Sequence, residues 1–295
     1  MTGAHSVMRS ALRLAMTATL LTACSEKTAS IPVSETEYEV VGTDYAFQAP
    51  KSVQAGRVAF RFVNKGTKRH EMSVVELKEG VTLDQLVKTV RADQTVRPLI
   101  EGPVGVTFAE PGKSSPSLLV VQAKPGARLA VICVFRDSAK APSHIDMGMY
   151  AIITVGNTVG TARLPQTATD TIIGTEYALQ YPRELAAGKH TIAFRNDGKM
   201  RHEVNIDLLA PGVTLERLLA AEKAGENVDS LFADGIGVLH VYGGESPRGE
   251  LTFDVLPGRE YLVACYFKDD DKAPEHYRLG MYGSIRGVEA PKTTQ

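Results

Sequence analysis

Two stretches of the chain carry the same three side chains at the same spacing. Cys133 is followed eleven residues later by His144 and five residues after that by Met149; Cys265, His276 and Met281 repeat the order. A thiolate, an imidazole and a thioether brought to one point make a soft donor set, the kind that suits copper. A second imidazole lies far upstream of each stretch, at His70 and at His202. Two imidazoles, one thiolate and a weak thioether are the donors that a mononuclear type 1 copper site requires. Taken singly, each residue has an ordinary reading: a strand histidine is usually structural, a buried cysteine behaves as a small hydrophobe and a methionine before a strand is usually core. Eight such residues recurring in one register shift the balance toward metal.

The register comes from an internal duplication. Residues of the second half match those of the first at a constant offset of 132: Gly42 with Gly174, Tyr45 with Tyr177, Asn64 with Asn196, Gly66 with Gly198, His70 with His202 and Cys133 with Cys265. Met149 has a methionine as its counterpart, whereas Met147 faces Leu279 and is the weaker axial candidate. Met72 matches Val204 and reads as core. His190 and His240 match Val58 and Phe108 and read as surface or packing residues.

Each repeat alternates in the manner of strands, as in Arg57 to Val63 and Thr191 to Arg195. Met72 to Leu77, Leu118 to Gln122, Leu129 to Phe135 and Ala151 to Val155 read as further strands, with Val204 to Leu209, Leu251 to Val255 and Tyr261 to Phe267 as their counterparts. One segment breaks the pattern. Thr82 and Thr214 are N-cap candidates ahead of short amphipathic helices whose apolar stripes would cover part of a sandwich. The expected fold is therefore all-β: two tandem Greek-key β-sandwich domains, each with a short helical insertion, at 37–156 and 168–290 with a linker at 157–167.

Residues 1–23 read as an export signal, with Arg9 and Arg13 ahead of a short apolar run. The run ends Leu21-Thr22-Ala23-Cys24, which resembles a bacterial lipobox; the resemblance implies cleavage before Cys24 and lipidation of its thiol. Residues 24–36 then form a polar tether. This places the protein in an exported compartment, anchored to a bacterial membrane through Cys24 and facing the periplasm or the cell surface. The chain has 3 cysteines. With Cys24 assigned to lipid, Cys133 and Cys265 remain as thiols where disulfides are the norm, and metal ligation supplies a reason for keeping them. A formal net charge of −1 gives no sign of a nucleic-acid partner.

The segments around the donors resemble the cupredoxins, the blue copper family of plastocyanin and azurin. The upstream signature is Asn64-Lys65-Gly66-Thr67-Lys68-Arg69-His70, and again Asn196 to His202. The downstream one is a cysteine, then a histidine, then four residues and a methionine preceded by glycine. The resemblance implies planar sets of His70, Cys133 and His144, and of His202, Cys265 and His276, with Met149 and Met281 axial and one copper ion per domain. It departs from plastocyanin in the ten residues between Cys and His, a longer loop that copper nitrite reductases and poorly characterised exported cupredoxin-like proteins come closer to. So long a loop is expected to leave the site more open to water.

Other copper chemistries lack their residues. A binuclear electron-transfer centre needs two cysteines in one loop. A multicopper oxidase or nitrite reductase needs paired histidines, and no His-x-His occurs among the 7 histidines. The sequence thus points away from an enzyme and toward an electron carrier working with a redox partner protein. A copper store or delivery protein with a copper donor or acceptor as partner is the alternative, and a metal-free interaction module on the same scaffold is a third reading.

Overall fold

The computed structural model describes residues 37–159, 168–245, 247–270 and 272–291. The export signal, Cys24, the tether and most of the expected linker lie outside these residues. The first repeat runs β1 (Glu37–Thr43), β2 (Ala46–Gln48), β3 (Ser52–Asn64), β4 (His70–Leu77), α1 (Leu83–Arg91), β5 (Ile100–Ala109), β6 (Ser114–Ala123), β7 (Arg128–Ile132) and β8 (Tyr150–Val159). The second runs β9 (Asp170–Thr175), β10 (Ala178–Gln180), β11 (Glu184–Ala186), β12 (Gly188–Asn196), β13 (His202–Leu209), α2 (Leu215–Ala224), β14 (Phe232–Val241), β15 (Gly249–Val255), β16 (Glu260–Ala264) and β17 (Tyr282–Val288). Strand β8 includes the first three residues of the expected linker. Among the described residues, no helix is long and apolar enough to cross a membrane.

The fold is all-β, in two layers. One layer orders β2-β1-β3-β6-β15-β12-β9-β10, with β1 parallel to β3 and β9 parallel to β12. The other orders β8-β7-β4-β5-β14-β13-β16-β17-β11. Strand β3 belongs to both, pairing with β8 at its start and with β6 beyond. Apolar side chains on the facing surfaces fill the space between the layers. Phe60, Phe62 and Leu119 of the first repeat join Ile192, Phe194 and Leu251 of the second in one buried cluster.

Both layers run through the two repeats, and they do so at equivalent residues. Val106 of β5 pairs with its counterpart Val238 of β14, and Leu119 of β6 pairs with its counterpart Leu251 of β15. Antiparallel pairing of equivalent residues is what a local two-fold axis produces. Ion pairs flank the seam, Arg248 with Glu76 at 2.6 Å and Arg57 with Glu250.

The helices form where their caps indicate. Thr82 accepts from the Gln85 amide while the Gln85 side chain accepts from the Thr82 amide, a complete capping box; Thr214 accepts from the Arg217 amide. Leu86 and Val87 pack on Val75, Leu77, Ile132 and Ile145, while Leu218 packs on Leu209, Leu262 and Tyr277. Strands β7 and β16 stop at Ile132 and Ala264, short of the ends expected at Phe135 and Phe267. From Cys133 onward the backbone leaves the ladder: the Cys133 amide donates to the Met149 carbonyl and the Val134 amide to the Glu71 carboxylate.

Candidate metal centre

His70 opens β4, and the turn before it is held by one buried asparagine. Asn64 donates from Nδ2 to the Lys68 and Ala109 carbonyls at 2.7 and 2.9 Å, and its Oδ1 accepts from the Gly66 amide at 2.8 Å. Asn196 repeats all three bonds, to Met200, Val241 and Gly198. Gly66 is needed for a steric reason. A Cβ there would stand 2.3 Å from Asp44 Oδ1 and 3.0 Å from His70 Nε2. The asparagine and the glycine of the upstream signature therefore set the loop that delivers the histidine.

Cys133 and His144 arrive from the end of β7 and the loop beyond it. The loop does not open the site to water. The His144 amide donates to the Phe135 carbonyl at 2.9 Å, so residues 136–143, most of the stretch between Cys133 and His144, close on themselves as a side excursion; His276 and Phe267 repeat the bond. His70, Cys133, His144 and Met149 are all 0% exposed, as are His202, Cys265, His276 and Met281. This corrects the expectation of a water-open site. Gly148 and Gly280, in the left-handed region at φ 106° and 102°, turn the chain just before each methionine.

In each repeat one Cys and two His donor atoms lie within 4.8 Å of one another. His70 Nδ1 is 2.9 Å from His144 Nδ1, and Cys133 Sγ is 3.4 Å from His144 Nδ1. In the second repeat His202 Nδ1 is 3.0 Å from His276 Nδ1, and Cys265 Sγ is 3.5 Å from His276 Nδ1. Metal–nitrogen and metal–sulfur bonds of roughly 2.0 and 2.3 Å let a single ion reach all three donors with shifts of a few tenths of an ångström. The two methionines are buried beside these groups, each bonded through its backbone to the cysteine and histidine of its own set.

The surroundings hold the donors in their metal-free protonation states. Burial pushes the Cys133 thiol up to about 12 and Cys265 up to about 11, against the hydrogen bonds that the Glu71 and Glu203 amides give the sulfurs. Burial also depresses His70, and takes His202 down to about 4. Thiols this reluctant to ionise give up their proton to solvent only as the sulfur binds a metal ion, so binding strengthens as pH rises. The residues fit a soft metal ion.

Several residues around the donors carried no signal at the level of spacing. Asp137 Oδ1 lies 3.3 Å from His144 Nε2, and Asp269 lies 3.1 Å from His276 Nε2. Each aspartate also accepts from a tyrosine hydroxyl, Tyr45 or Tyr177. Both tyrosines sit at positive φ, 70° and 58°, a conformation costing about 1–3 kcal/mol. It lays each ring edge-on against the loop histidine, with centroids 5.1 and 5.0 Å apart. Asp44 lies 3.3 Å from His70 Nε2 and is drawn down to about 2, first by the Thr67 hydroxyl. Tyr45 was visible as a repeat anchor, but the carboxylates lie in polar turns that look like any solvated loop. Met72 is fully buried in the core, His190 pairs with Asp170, and His240 keeps a buried Nε2 that has no partner among the described residues.

Fold and site together are a two-layer β-sandwich with two buried His–Cys–His groups, each beside a buried methionine. No protein-family model matches the chain, and no curated protein matches it in sequence. Solved structures do resemble it. Reduced auracyanin of the photosynthetic bacterium Roseiflexus castenholzii is 18% identical, over 41% of this chain and 97% of that one, with a TM-score of 0.30. Auracyanin A of Chloroflexus aurantiacus, described as a "blue" copper protein, is 14% identical over 41% and 98%, with a TM-score of 0.28. A copper nitrite reductase of Nitrosomonas europaea is 14% identical over 85% and 93%, with a TM-score of 0.25. Likeness at this level assigns no function.

Proposed function

We propose that the protein binds copper in two mononuclear type 1-like sites and carries electrons between partner proteins. The observation that supports this reading is the donor set itself, built twice, fully buried and pinned by the same backbone bonds in both repeats. Donors held in place by a rigid sandwich rearrange little between oxidation states, which favours electron transfer over copper release. Met149 and Met281 would supply the weak thioether donors to the bound ion. The lipobox-like run ending at Cys24 supports export and lipid anchoring at a bacterial membrane, which would hold the two sites close to membrane-bound redox partners.

Visible absorption of the copper-loaded protein tests the reading. An intense thiolate-to-copper band is expected, falling by about half in Cys133→Ser and by about half in Cys265→Ser, and absent in the double variant. Copper uptake without that band would favour storage or delivery. Failure to bind copper stoichiometrically would overturn both.

A further inference from the structure

The two donor sets differ in one outer contact. Both imidazoles of the first set turn Nδ1 inward, toward each other at 2.9 Å, and give Nε2 to a carboxylate: His70 to Asp44 at 3.3 Å and His144 to Asp137 at 3.3 Å. In the second set His276 has Asp269 at 3.1 Å, but His202 Nε2 is buried and, among the described residues, has no hydrogen-bond partner. The counterpart of Asp44 is Glu176. Its longer side chain carries the carboxylate to the Lys199 amide, at 2.7 Å. In the first repeat Asp44 takes the equivalent amide, Thr67, at 2.8 Å and still reaches the imidazole. The Thr67 hydroxyl braces its second oxygen at 2.7 Å, and the counterpart of Thr67 is Lys199, which has no hydroxyl.

We infer that Asp44 is a positioning residue that separates the two metal sites in affinity and reduction potential, the first site binding copper(II) more tightly and having the lower potential. The inference rests on the copper reading above. A histidine bound through Nδ1 must carry its proton on Nε2. A carboxylate accepting from that N–H fixes the ring, selects the tautomer and makes Nδ1 a stronger donor. The stronger donor stabilises the more highly charged oxidation state. Among the described residues His202 Nε2 has no such acceptor, so no hydrogen bond fixes the ring from its outer side and the buried N–H stays unsatisfied, which costs binding free energy. Loss of one outer-shell partner of this kind costs about 10–100-fold in metal affinity, and the two sites are set apart by that factor.

Each site is read alone in the full chain, the first in Cys265→Ser and the second in Cys133→Ser. Copper(II) affinity is measured by chelator competition and potential by spectroelectrochemistry. The first site is expected to bind about 10–100-fold more tightly and at the lower potential. Asp44→Asn and Asp44→Glu in the Cys265→Ser chain should both bring the first site to the second site's values. Glu176→Asp in the Cys133→Ser chain should move the second toward the first. An unchanged melting temperature in the metal-free variants separates this from misfolding. Equal affinities and potentials in the two isolated sites, with Asp44→Asn silent, would overturn the inference while leaving the copper reading standing. No copper uptake in either single-site chain would overturn the copper reading, and the inference with it.

Discussion

The two repeats hold the same donors, at the same burial, on the same backbone bonds, yet their surroundings differ. Arg69 and Arg201 each precede the upstream histidine. Arg69 lies against Phe108 and Phe135, pairs with Glu110 at 3.2 Å, and its charge opposes the burial that raises the Asp207 carboxyl on the other repeat. Arg201 packs on Tyr242 and Phe267, and among the described residues no carboxylate pairs with it. The residues matched to Glu110 and Asp207 are Tyr242 and Val75. What agrees between the repeats is the part that a donor set needs in order to assemble: the buried asparagine, the glycine before the histidine, the closing bond from histidine to Phe135 or Phe267, and the capping tyrosine. What differs is charge one contact further out. The inner parts are coupled through buried hydrogen bonds, so a change in one strands the others. The outer charges are partly solvated, and exchanging them costs little stability.

Paired substitutions probe that division. The largest effects belong to the shared core. Leu86→Ala and Leu218→Ala should each destabilise by about 2–5 kcal/mol and by similar amounts, as read from chemical denaturation. A large inequality would show that the two helices do not cover equivalent cores.

Acid should separate the repeats. A histidine whose folded value is depressed contributes its stability above its ordinary value near 6.5 and loses it as pH falls. For His202, at about 4, the loss falls between pH 6.5 and 4 and is on the order of 3 kcal/mol in the metal-free protein. Burial depresses His70 as well, but Asp44 opposes the shift. His202→Gln should therefore remove more of the acid sensitivity than His70→Gln, in melting curves recorded from pH 7 to 4. Equal effects would mean that Asp44 gives His70 no relief.

Gly66→Ala forces a Cβ against Asp44 and His70 and should cost about 1–3 kcal/mol, together with the first site's copper affinity. Gly198→Ala meets Glu176 and Asn196 no closer than 3.1 Å and should cost less. Denaturation with a copper titration distinguishes the two. The smallest contrast lies at the caps. Thr82→Ala, which breaks a reciprocal box, should cost about 1 kcal/mol, and Thr214→Ala, which breaks a single bond, should cost less.

Much of this was legible in the chain because the repeat made it so. Donors spaced alike in two copies stand out against single histidines and cysteines, and the helices announced themselves through Thr82 and Thr214. Strands β5 and β14 did not, because residues buried on both faces of a sheet do not alternate: β5 is buried at eight of its ten positions. The water-open loop was misjudged for a related reason. Ten residues count as a long excursion only until one backbone bond, His144 to Phe135, closes most of them into a side loop.

The sequence by itself determined the all-β class, the duplication and the eight candidate donor positions, because these depend on residue type, periodicity and spacing along one chain. The tertiary structure alone decided three other things. It joined the repeats through Val106 and Val238 into shared sheets, it buried the candidate donors fully, and it placed Asp44, but not Glu176, within hydrogen-bonding reach of the upstream histidine. Each of these depends on where a backbone meets another far from it in sequence, and a difference of one methylene between two acidic residues is readable only once the imidazole beside them has been placed.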